Sequence, residues 1–164
     1  MKYRLAVVAP SVVDAVRFAG GWLFDRVLAG WDAIVLVHNP ADALPLRILG
    51  ANVLALGSPT NDVRPDAITL AGALVETDDR IQCGVLEALD RGLAEVMLWG
   101  GDCPSELNRR IGSVQHRLSV AARAFKAEAL TAASVPAVSI DPIETFHRGT
   151  SSARRWAAAD LIPF

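Results

Sequence analysis

Cysteine, tyrosine, methionine and lysine are scarce in this chain of 164 residues, which holds 2 Cys, 1 Tyr, 2 Met and 2 Lys. Two cysteines, Cys83 and Cys103, cannot build the disulfide framework of a small secreted domain, and they lack the CxxC spacing of a zinc site. A reduced, cytoplasmic protein without metal or cofactor is therefore expected. No apolar run approaches the ~20 residues of a membrane span. Lys2 and Arg4 ahead of Leu5–Val13 begin like a signal peptide, but Asp14 and Arg17 interrupt at once and no small-x-small cleavage site follows. A first strand is the better reading.

Familiar phosphate cradles are also missing. Neither GxGxxG nor GxxxxGK[ST] occurs, which removes the usual supports of dinucleotide and P-loop nucleotide binding. Ala9-Pro10-Ser11 stands where a phosphoreceiver domain needs its acidic pair, and Gly57-Ser58 where its phosphoacceptor aspartate would be. These residues speak against active phosphoreception.

What is present is apolar: 52% of the residues are hydrophobic and 21% are charged, enough for one well-buried core. The net charge of −2 is divided unevenly, with 8 basic and 13 acidic groups in residues 1–103 against 8 and 5 in residues 104–164. That balance does not suit a general polyanion binder.

Along the chain, short apolar runs alternate with helix-period segments. Tyr3–Ala9 reads as a strand covered on both faces. Ser11, three residues before Asp14, caps a helix running to about Ala29. Gly20-Gly21 inside that helix cost together ~2 kcal/mol relative to alanine, and so point to a break or a close backbone approach. Asp32–His38 and Asn52–Leu56 read as strands around a short helix at Asp42–Leu49. Residues 67–75 lean to strand through Ile68, Leu70 and Leu74. Thr77-Asp78-Asp79 starts a helix that Gly92 ends, and Glu95–Trp99 is another strand. From Pro104 to Ala133 the positions Leu107, Ile111, Val114, Leu118, Ala121, Phe125, Ala129 and Ala132 keep three- and four-residue steps, which predicts one long amphipathic helix. Pro136–Ile140 reads as a last strand.

This pattern predicts an α/β fold: a single-domain, three-layer α/β/α sandwich on a mostly parallel sheet of five or six strands, with flavodoxin-like or Rossmann-like winding. Residues 1–145 form the wound domain. Residues 146–164, with Trp156, Leu161, Ile162 and Phe164, form a tail that docks on the domain or on a partner. Such aromatic weight, together with Gly20-Gly21-Trp22, leads to the expectation of a homodimer through the first helix, the tail or both.

Parallel strands would gather Ser11, His38, Asn39, Ser58, Gly100, Gly101, Asp102, Cys103 and Asp141 at one sheet edge, where wound folds bind ligands. Plainer readings compete: Ser11 and Asp102 as helix caps, His38 as a hydrogen-bonded turn residue, and Gly100-Gly101 as a tight turn. Cys103 would sit in a helix's first turn, where the dipole lowers a thiol pKa. On the outer face of the long helix, Arg109, Arg110, His116, Arg117, Arg123 and Lys126 would make a basic stripe, read chiefly as a solvated surface.

No complete catalytic set emerges. The sequence is therefore read as a non-catalytic module that binds a protein partner or a small regulatory ligand. The alternatives are a small enzyme acting on a polar or phosphorylated metabolite at the strand carboxyl edge, and a nucleic-acid-associated protein using the basic face of residues 104–133. Nucleic acid is the weakest of these partners, and no membrane is involved.

Overall fold

The first strand, β1 (Arg4–Val8), is apolar and buried from Leu5 onward. Ser11 then stops it: its extended backbone and its side-chain oxygen, which accepts the Asp14 N–H at 3.2 Å, open helix α1 (Val12–Leu28). A computed structural model of the chain describes residues 2–58, 64–100, 111–136 and 139–149. In it α1 is followed by β2 (Asp32–Val37), α2 (Leu44–Ile48), β3 (Asn52–Ala55), β4 (Ala67–Ala71), α3 (Gly72–Thr77) and α4 (Asp79–Arg91). Then come β5 (Glu95–Trp99), β6 (Ile111–Arg117), α5 (Val120–Ala132) and β7 (Ile143–Gly149). Asp78 caps α4 by accepting the Arg80 and Ile81 amides, and Gly92 ends it in the left-handed conformation at φ +61°.

The fold is mixed α/β on one seven-stranded, mostly parallel sheet of order β3-β2-β1-β4-β5-β7-β6. Two more strands form than the lower sequence expectation and one more than the upper. The five strands from β3 to β5 are parallel, while β7 runs antiparallel to both of its neighbours. Only His147–Gly149 of β7 pair with β5, whereas the whole strand pairs with β6. The free half of this antiparallel strand pair reaches α1 as a two-stranded arm, with Phe146 against Trp22 at a ring separation of 5.5 Å.

The long helix over residues 104–133 does not form. Residues 101–110 lie outside the described part, and the rest divides into β6 and α5. Seven residues of β6 pair with β7, a ladder that a helix there would forfeit. The contrary signal was a period of two, Val114, His116 and Leu118 alternating with Ser113, Gln115 and Arg117, which the helical steps of Leu118 and Phe125 concealed. Ser119 caps α5 by accepting the Ala122 N–H at 3.0 Å.

Three smaller readings change as well. The strand at 67–75 ends at Ala71, and α3 starts at Gly72, so Leu74 belongs to a helix. No strand forms over the described part of 136–140; the last strand lies later and carries the sheet to Gly149, past residue 145. Gly20, Gly21 and Trp22 do not face outward. Trp22 is buried, and a Cβ on Gly21 would collide with the Leu118 side chain, so of the two readings of the glycine pair the close backbone approach is the one that holds.

Candidate active site at the carboxyl edge of the sheet

The connection after β1 leads through α1 to β2 on one side, and the connection after β4 leads through α3 and α4 to β5 on the other. β1 and β4 are neighbours, so the crevice outside their carboxyl ends is the sheet's topological switch point, where wound folds hold ligands. Ser11 follows β1, His38 and Asn39 follow β2, Gly57-Ser58 follow β3 and Gly100 ends β5. The parallel strands therefore bring Ser11, His38, Asn39, Ser58 and Gly100 to one edge.

His38 and Asn39 are exposed and Ser11 is half-buried. Asn39 accepts the Ala41 N–H through Oδ1 at 3.0 Å, which fixes the loop after β2. Ser11 uses an oxygen lone pair for its cap, leaving the hydroxyl proton available to a ligand. The first amides of α1 have no intrahelical acceptor. Beside them opens a cavity of about 450 Å³, whose walls include Val12, Val13, Asp42, Pro45, Arg47 and Ser134. At the far side of the edge β4 and β5 close tightly: a Cβ on Gly72 would strike the Gly100 carbonyl oxygen.

Asp141 does not share this position. It precedes β7, and its Oδ1 accepts the Ile143 N–H at 2.9 Å, an ordinary turn contact. Gly101, Asp102 and Cys103 lie outside the described residues.

The basic stripe is not a stripe. Arg109 and Arg110 lie outside the described residues, Arg117 is on β6 and Arg123 on α5. His116 and Lys126 are buried, at 1% and 4% exposure. Lys126 Nζ bonds Glu144 Oε2 at 2.7 Å and the Arg17 carbonyl at 2.6 Å. The Glu144 carboxylate also accepts the amides of Gly21 at 2.9 Å and Trp22 at 2.6 Å. In an α-helix the Gly21 N–H is the partner of the Arg17 carbonyl, so both ends of one rung of α1 are engaged from outside it. Burial pushes the Glu144 carboxyl above its ordinary range, against the lowering effect of Lys126 and the two amides.

A second interior group lies further along α1. Asp25 Oδ2 lies 2.8 Å from His116 Nε2 and accepts the Ser119 N–H at 3.2 Å, while Oδ1 accepts the Ser119 hydroxyl at 2.6 Å. Next to it, burial pulls the Arg26 guanidinium down from its ordinary value despite the charges of Asp25 and Glu95. These contacts tie α1 to the β6–α5 corner. Sequence reasoning missed Asp25 and Glu144; the usable signal was Gly20-Gly21, which did mark a close backbone approach. Among the described residues, no three His, Cys, Asp or Glu side chains converge as a metal ion requires.

No family model matches the chain, and no curated relative does either. Solved structures do match. The deacetylase Dbv21 acting on the A40926 pseudoaglycone is similar with a TM-score of 0.67 at 16% identity, over 94% of this chain and 100% of that one. The zinc-inhibited form of teicoplanin deacetylase Orf2 is similar with a TM-score of 0.64 at 13% identity, over 93% of this chain and 100% of the other. The conserved protein TT1542 from Thermus thermophilus gives 0.60 at 16%, over 94% and 97%. At such identities the likeness shows the fold. It also overturns the reading as a non-catalytic module, because the proteins that share this fold from end to end include working enzymes.

Proposed function

We propose that the chain is a small hydrolytic enzyme acting on a polar, acylated metabolite at the carboxyl edge of its sheet. The observation that carries this is that Ser11 with the start of α1, and His38, follow the neighbouring strands β1 and β2 at the carboxyl edge of the sheet, with an open cavity beside the first turn of α1. The deacetylase activity of the fold's solved neighbours supports the reaction class, and the 3-2-1-4-5 order of the parallel strands supports a Rossmann-like winding. In the proposed step water attacks the acyl carbon and the carbon–nitrogen bond breaks. His38 takes the proton from water and returns it to the departing amine. The Ser11 hydroxyl and the free amides at the start of α1 donate to the oxygen that gains charge.

Arg47 and Asp42 give the cavity one charge of each sign, which favours a zwitterionic or amphoteric substrate over a simple anion. A reduced cytoplasmic setting belongs to the same proposal. Among the described residues no helix is long and apolar enough to cross a membrane. The test is a panel of N-acetylated amino sugars and amino acids incubated with purified protein, with acetate release followed by proton NMR. Release that Ser11→Ala and His38→Ala both suppress supports the assignment; a panel without turnover, or turnover indifferent to both changes, counts against it.

A further inference from the structure

Charges of both signs face the cavity beside the first turn of α1. Its walls bring together Asp42, just ahead of α2, and Arg47, in the last turn of α2. Both side chains are exposed, and among the described residues neither makes an ion pair or a side-chain hydrogen bond, with the other or with any third group. Two opposite charges left uncancelled on one cavity complement a ligand that carries both signs itself. The end of α5 adds to the negative side. Ala132 and Ala133 are in the same wall, the bonds that close the helix fall on the carbonyls of Ala129, Leu130 and Thr131, and no basic residue stands in its last turn to offset the dipole. Val12, Val13 and Pro45 supply apolar wall beside these charges.

We infer that the substrate is a diamino acid of the lysine or ornithine kind, acylated on its side-chain nitrogen. This rests on the hydrolytic reading above. The α-carboxylate pairs with Arg47, whose planar fork takes both carboxylate oxygens, and the α-ammonium is held by Asp42 and the carboxyl end of α5. The methylenes lie on Val12, Val13 and Pro45, and the terminal acylamide reaches Ser11 at the start of α1. Hydrolysis of the acetylated compound consumes one water and leaves acetate and the free diamino acid, so no further reactant is needed. A cavity of about 450 Å³ lies in the range of small-molecule sites. Competing substrates match it less well. An amino acid acylated on its α-nitrogen keeps the carboxylate alone and leaves Asp42 unmatched, and a neutral N-acetylated amino sugar answers neither charge.

The test compares Nε-acetyl-lysine with two analogues that each lack one charge: 6-acetamidohexanoate, without the ammonium, and N-acetylcadaverine, without the carboxylate. The ornithine series is run in parallel. With the full chain, kcat/KM for acetate release is measured for the wild type, Arg47→Gln and Asp42→Asn. The expected result is a preference of about tenfold or more for the diamino acid over either analogue. Arg47→Gln should lose about as much on the diamino acid and on 6-acetamidohexanoate but nothing on N-acetylcadaverine, and Asp42→Asn should lose on the diamino acid and on N-acetylcadaverine but nothing on 6-acetamidohexanoate. Faster turnover of N-acetylglucosamine, or losses that ignore which charge the analogue carries, would overturn the inference and leave the hydrolytic reading standing. No turnover of any compound would overturn the hydrolytic reading instead. Titration calorimetry with lysine and ornithine then decides the cavity: binding that both substitutions weaken supports the charge assignment, and no binding to the wild type overturns it.

Discussion

Glu144 on β7 and Lys126 on α5 meet at 2.7 Å in the interior, and the same carboxylate reaches two backbone amides of α1. Three elements distant in sequence are thus joined at one carboxyl group. Removing one member of a buried, hydrogen-bonded pair strands the other charge, which costs about 3–5 kcal/mol. Lys126→Met should lower the unfolding free energy by that amount in urea titrations. The double change Lys126→Met with Glu144→Leu should cost clearly less than the two single changes added together.

The same carboxyl predicts a pH slope. Burial raises its folded-state pKa above the ordinary value of 4.5. A group raised in this way contributes stability that is complete below the unfolded pKa and is lost as pH rises through the folded one. The wild-type chain should therefore lose stability relative to Glu144→Gln as pH rises from 4.5 toward neutrality. Parallel stability curves for the two proteins would contradict the assignment.

Two glycines in helices should respond in opposite directions to alanine. Gly84, inside α4, has open space where a methyl group would go, with nothing within 4 Å, so Gly84→Ala should gain up to ~1 kcal/mol from helix propensity. Gly21→Ala forces its methyl into Leu118 and should cost ~1–3 kcal/mol or more. Gly21→Ala and Leu118→Ala together should cost less than the two single changes added, as read from thermal midpoints.

Apart from α3, which was read as the end of a strand, the alternation of strands and helices from Arg4 to Trp99 was legible because each element carried its own period and punctuation: Ser11 and Asp78 as caps, Gly92 as a stop. The carboxyl-edge positions of Ser11, His38, Asn39, Ser58 and Gly100 followed from that alternation alone. After Gly100 local pattern failed. In residues 111–132 a strand and a helix follow each other with apolar residues at spacings that fit one continuous helix, and only pairing with β7, about thirty residues on, distinguishes them. His116 and Lys126 looked like surface cations for the same reason. Their partners Asp25 and Glu144 lie 91 and 18 residues away, and such pairings leave no trace in local spacing.

The most direct test of the account is kcat/KM for acetate release from the best substrate of the N-acetylated panel, compared between the wild type and His38→Gln. A general base at the carboxyl edge predicts a loss of about 10²–10⁴-fold with an unchanged thermal midpoint, because His38 is exposed and outside the core. Activity within a factor of two of the wild type in a fully folded His38→Gln protein would contradict catalysis by this residue at this edge.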